Sequence, residues 1–347
     1  MTSLLERKLI VVTGKGGTGK STIACALGLL GARRGLRTIV VEIGDQHRIP
    51  DLFATRQSRV DRSGQRGRTE HSGRTDSSAS RDGNRAGAVE LRESLWSASI
   101  DPDRAMIDWL QTLTGRISAR LMSSSSTFRY FAAAAPGAKE LVSMIEVRGL
   151  CEEQRKRKGS ETYDLVVLDA PATGHALAML DSPRTFATIV RAGPLAEQAR
   201  AVLELLEDPR RCGYVAVAQG TEMAITETLE LEQGLRRRLG RDLDAVIVNG
   251  TVPRRFTREE LVRISTATQD SSLARSAGRM AGTVHERARQ QQSQIARLRR
   301  RRVTDGMPAD VVTIPFVFTS ELDLAGVGEI STQLERKLQQ PFRADRN

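Results

Sequence analysis

The stretch Gly14 to Thr22, GKGGTGKST, constrains this chain more than any other. It follows an apolar run, Leu9 to Val12, and precedes Ile23 to Leu30, so the order is strand, glycine loop, helix. The spacing fits G-x-x-x-x-G-K-[ST], with Gly14, Gly19, Lys20 and Ser21 in the fixed places. Glycines at 14, 16, 17 and 19 let the backbone approach a phosphate and point its N–H groups inward, those of Thr18 and Thr22 included. The helix that follows adds partial positive charge where the anion sits. Lys20 is expected to reach the β- and γ-phosphates of ATP, and the Ser21 hydroxyl to ligate Mg²⁺.

Lys15 follows the first glycine directly, where an ordinary phosphate loop needs no lysine. It is badly placed to bend back onto its own loop and better placed to reach a nucleotide on a facing subunit; a solvated lysine at a loop edge is the plainer reading. GKGGTGKS resembles the deviant phosphate loop of the family that contains the arsenite-pump ATPase, the ATPase delivering tail-anchored membrane proteins, and the septum-placing and plasmid-partitioning ATPases. The resemblance implies that Lys15 contacts phosphate across a dimer.

The chain has 347 residues, enough for a large α/β domain, and a formal net charge of +11. Nearly all of the positive charge is arginine, since lysine occurs only at 8, 15, 20, 139, 156, 158 and 337. An arginine excess suits nucleic acid or anionic membrane, and it equally follows from genomic base composition. Cys25, Cys151 and Cys212 form no C-x-x-C pair, which suggests neither a zinc site nor a disulfide framework. No apolar stretch has the length of a membrane span and the amino terminus lacks a signal-peptide pattern, so the expectation is a cytoplasmic protein with any membrane contact peripheral.

Short β-rich runs recur at 38–43, 95–100, 165–168, 214–218, 245–248 and 311–314, most of them continuously apolar. Runs of that kind mark strands buried on both faces of a parallel sheet. With helical segments between them, they predict an α/β fold: a doubly wound, mostly parallel sheet of the P-loop type in a single domain, residues 1–347. Residues 54–90 are rich in Arg, Ser and Gly with few apolar groups, and are expected to be a disordered insertion, either merely solvated or an arm for an anionic partner. Residues 103–150 have helical spacing and are read as a helical subdomain. Its apolar positions are core, or a groove for a client helix.

Further stretches narrow the resemblance to the arsenite and tail-anchor branch. Trp96 to Pro102 and Pro136 to Val147 resemble its strand ending in I-D-P and its P-G helix. Asp169 to His175, DAPATGH, closes a buried strand and resembles the switch that senses the γ-phosphate. Asp169 sits where an acid is expected behind Mg²⁺ together with Ser21, and His175 is read as a structural histidine rather than a base. Gly44 to Phe53 resembles D-P-A-H-x-L-x-D-A-F, except that Gly44 occupies the place of the aspartate that orients water. Asp45, one residue late, is the candidate substitute, and Glu42 lies two residues early. Without such a group hydrolysis would be very slow.

Thr221 to Thr228, TEMAITET, resembles the branch's P-x-x-M-A-x-x-E-T. Capping by Thr221 and dipole complementation by Glu222 suffice to explain it. The Asn249 amide can bond both edges of adenine, and Pro315 and Phe316 resemble the adenine loop. Residues 257–302 read as basic helix, either solvated or facing an anionic partner, and lack the C-x-x-C of zinc-clasped relatives. The resemblance thus implies an ATPase with Lys15, Asp45 and Asp169 as its catalytic set. It implies a homodimer, or a heterodimer with a paralogue, acting on a membrane-protein client or at a membrane. A slow nucleotide switch and a partitioning-type ATPase that binds DNA or membrane are the alternatives.

Overall fold

The apolar runs pair into one eight-stranded sheet whose order is β3-β4-β2-β5-β1-β6-β7-β8. A computed structural model describes residues 4–44, 48–53, 87–109, 137–152, 162–190, 193–267, 271–304, 310–319 and 322–338. Asp45, residues 54–86 of the expected insertion and residues 110–136 of the expected helical subdomain lie outside the described residues. The strands are β1 (Leu9–Gly14), β2 (Thr38–Ile43), β3 (Val89–Arg92), β4 (Leu95–Ile100), β5 (Leu165–Ala172), β6 (Cys212–Ala218), β7 (Ala245–Thr251) and β8 (Asp310–Pro315). Every pairing is parallel except that of β3 with β4. The helices are α1 (Lys20–Arg33), α2 (Arg48–Phe53), α3 (Ala138–Cys151), α4 (Thr173–Ile189), α5 (Pro194–Glu207), α6 (Glu222–Leu239), α7 (Arg258–Ala267), α8 (Ser272–Thr304) and α9 (Leu324–Leu338). Residues 102–109 are also helical.

Both faces of the sheet are covered, as the unbroken apolar strands require. Ile10, Val12, Val40 and Val167 pack with α1 and α9 on one side. Leu9, Val11, Val41 and Leu168 pack with α3, α4, α5, α6 and α8 on the other. Ile23 to Gly31 of α1 are all buried, so this helix shows no polar stripe: it is enclosed between the sheet and α9. Cys25 is one of these buried residues. Among the described residues no helix is long and apolar enough to cross a membrane.

β1 lies between β5 and β6, and the chain winds outward in opposite directions from it. The carboxyl end of β1 is therefore the point where the strand order reverses, and ligands of open α/β sheets sit at such points. The glycine loop emerges there.

Two readings need correction. The expected insertion ends before Val89, because Val89 and Glu90 pair with β4 as an antiparallel edge strand. That strand is short and mostly exposed, so it leaves no apolar run in the sequence. The arginine run at the end of α8 is not uniformly solvated. Arg302 is 2% exposed and lies 2.9 Å from the buried Glu232 carboxylate on α6. The last turns of α8 pack on α6, which carries this arginine inward. Burial holds the Glu232 carboxyl above its usual range, and each charge partly offsets the cost of burying the other.

Candidate functional site

Gly14 ends β1 at φ +143°, and a Cβ there would stand 2.1 Å from the Val217 carbonyl oxygen on β6. The loop then turns through Gly17 and Gly19, at φ +78° and +90°, into α1. It closes around the carbonyl oxygen of Lys15, which accepts from Thr18 Oγ1 at 2.9 Å and from Lys20 Nζ at 3.2 Å. Neighbouring strand ends brace it from outside. Gln219 Nε2 donates to Gly17 O at 3.3 Å, and Asn249 Nδ2 donates to Thr18 O at 3.0 Å. A Cβ at Gly19 would meet that Asn249 nitrogen at 2.4 Å. Gly16 and Gly17 have nothing within 4 Å of an added Cβ, so this side of the loop is open. The result is an anion cradle of main-chain amides at the start of a fourteen-residue helix.

At the first turn of α1 the Ser21 hydroxyl donates to Asp169 Oδ2 on β5. Among the described residues, the other oxygen, Asp169 Oδ1, is buried with no hydrogen-bond partner, as is Thr173 Oγ1 four residues on. Burial raises the Asp169 carboxyl from its usual range, with the Ser21 hydroxyl and Lys20 ammonium opposing. Burial likewise lowers Lys20, with Asp169 opposing. A serine hydroxyl beside a carboxylate with one unpartnered oxygen is a set of hard donors that fits Mg²⁺ and its waters.

Glu42 is the register partner of Asp169 on the adjacent strand, so the two side chains leave the same face of the sheet. Glu42 accepts from Arg48 N at 3.2 Å, which ties the end of β2 to the start of α2. Burial pushes its carboxyl up to about 7, against the opposing pull of the Arg48 and Ile49 amides. Gly44 N donates to Ile100 O at 2.9 Å. His175, read from the sequence as a structural histidine rather than a base, is exposed at the first turn of α4, where the chain leaves the strand end.

Asn249, near the end of β7, and Phe316, just past β8, lie at this same edge of neighbouring strands. Phe316 N donates to Thr251 O at 2.9 Å. Its ring is half exposed and meets Phe318 edge-on at 5.0 Å, with the Arg255 guanidinium 5.8 Å from the Phe318 centroid. Pro315 is the last residue of β8, and Phe316 after it lines an apolar groove of about 790 Å³ with Val252, Met280 and Val284.

Lys15 points away from the cradle that its own carbonyl helps to build. Its ammonium meets the Glu227 carboxylate and lies 2.8 Å from Met223 Sδ, both on α6. Thr221 caps this helix by accepting from Ala224 N at 3.4 Å, as expected. Glu227 and Met223 were not singled out by sequence reasoning, although they sit inside the TEMAITET stretch. The structure therefore gathers Gly14 to Thr22, Asp169, Asn249, Pro315 and Phe316 at one edge, and Asp45 lies outside the described residues.

A family model described as anion-transporting ATPase matches residues 7–194, more than half of the chain. ATPase BagA of Mycobacterium tuberculosis is 25% identical over 77% of this chain and 72% of its own length. ATPase ASNA1 homolog 1 of Paramecium tetraurelia is 28% identical over 51% of this chain and 44% of its own. ATPase GET3 of Podospora anserina is 26% identical over 50% of this chain and 42% of its own.

Proposed function

Because the chain belongs to the family of anion-transporting ATPases, we propose that it binds Mg²⁺·ATP on the Gly14–Thr22 loop and hydrolyses it to ADP and phosphate between two protomers. Opening and closing of the pair is then the output. The observation that carries this reading is the Ser21–Asp169 contact at the end of the cradle, with Asp169 Oδ1 buried beside it and unpartnered among the described residues.

In this reading the loop amides fix the phosphates, and Lys20 leaves the Lys15 carbonyl to engage the β- and γ-oxygens. Bound Mg²⁺ supplies charge neutralisation, with the Ser21 hydroxyl as its ligand and Asp169 holding it through water. Lys15 serves the facing protomer, where its charge acts as an arginine finger does. Asn249 braces the loop and, with Pro315 and Phe316, frames the base. The pair is a homodimer or joins a paralogue, and the chain acts as one domain.

One observation favours a second reading, a slow nucleotide switch. Gly44 offers no side chain to orient water, and the Glu42 carboxylate is engaged by the start of α2. Single-turnover phosphate release separates the two. The hydrolase reading expects release in seconds; a rate constant of about 10⁻³ s⁻¹ or less, typical of a site lacking a water-orienting or charge-stabilising group, assigns the slow switch.

A further inference from the structure

The two ammonium groups of the glycine loop are held in opposite senses. Lys20 lies inside the cradle on the Lys15 carbonyl. Lys15 lies outside it, between Glu227 and Met223. These two residues stand four apart on α6, so they share a helix face and grip one cation from two sides. Capping explains Thr221 and leaves Glu227 without a task in the helix itself.

Resting on the two-protomer reading above, we infer that Glu227 is a positioning residue that parks Lys15 within its own protomer until the pair closes. The contact is suited to release. The side chains of Lys15 and Glu227 are 34% and 31% exposed, and ion pairs open to solvent are weak. Phosphate in the facing protomer competes with one carboxylate for one ammonium. Closing a symmetric pair opens two such contacts, so the effect on association is the square of the effect on each.

The test starts with nucleotide-free protein, labelled briefly with acetic anhydride and read by peptide mass spectrometry, with Lys139 as internal reference. Lys15 is expected to react about two- to fivefold faster in Glu227→Gln than in wild type, the preference a solvent-exposed pair confers. Glu227→Asp, which keeps the charge, should fall nearer wild type. Sedimentation velocity with Mg²⁺ and a non-hydrolysable ATP analogue then reads association. Glu227→Gln should strengthen it by about four- to twenty-five-fold, the same preference squared. In a Lys15→Ala background the substitution should change nothing.

Equal labelling of Lys15 in wild type and Glu227→Gln overturns the inference. So does weakened association, or a gain that persists without Lys15. Failure of wild type to associate at all, with the labelling difference intact, removes the two-protomer reading and the release step while leaving the contact within the protomer in place.

Discussion

Replacing Lys15 with alanine is expected to lower ATP turnover by about 10³-fold or more while nucleotide affinity stays within about threefold. The geometry gives the reason. The cradle needs only the Lys15 backbone: its carbonyl oxygen accepts from Thr18 and Lys20, and alanine preserves that oxygen. The Lys15 ammonium lies outside the cradle on Glu227, so nothing that holds ATP in its own protomer depends on it. What disappears is a charge delivered from the facing protomer as negative charge develops on the transferred group. Such charges, supplied across an interface, account for about 10³ to 10⁵ in rate. Lys15→Arg should recover part of the loss, because charge is kept while the planar fork replaces a compact ammonium. The measurement is steady-state phosphate release beside equilibrium ATP binding. Unchanged turnover removes the role across the interface, and a large loss of affinity makes Lys15 a ground-state phosphate ligand instead.

Gly14→Ala is expected to destabilise the fold by at least about 3 kcal/mol and to abolish nucleotide binding. Two costs coincide. The added Cβ would sit 2.1 Å from the Val217 carbonyl, and the backbone is at φ +143°, a conformation that residues with a side chain rarely adopt. Neither can relax cheaply, because Val217 belongs to a strand paired on both sides, with β1 and with β7. Gly16→Ala is the control. Nothing lies within 4 Å of its added Cβ, and its stability should stay within about 0.5 kcal/mol of wild type. Urea denaturation of both variants decides the matter. Equal midpoints would show that the close approach of β1 and β6 at the loop does not limit the residue at 14.

Much of this was legible in the sequence for a simple physical reason. A strand covered on both faces has to be mostly apolar, so β1, β5, β6 and β7 announce themselves as apolar runs. The cradle was legible too, because its chemistry is written in consecutive residues. What stayed hidden depends on pairing over distance or on an exposed edge. β3 needs only one neighbour and keeps polar residues. Glu227 reaches Lys15 across 212 positions, and no spacing rule connects them. Arg302 looks like one more member of a solvated arginine run until α8 is packed on α6 beside Glu232. Glu42 reads as part of an apolar strand, and only strand register places it next to Asp169.

The most direct check is isothermal calorimetry of the full chain with ATP in the presence of Mg²⁺. Saturable uptake of one ATP per protomer, lost in Lys20→Ala, is the result that agrees with a triphosphate held by the Gly14–Thr22 amides. Absence of any uptake at millimolar ATP with Mg²⁺ present, from protein shown to be folded, would contradict it.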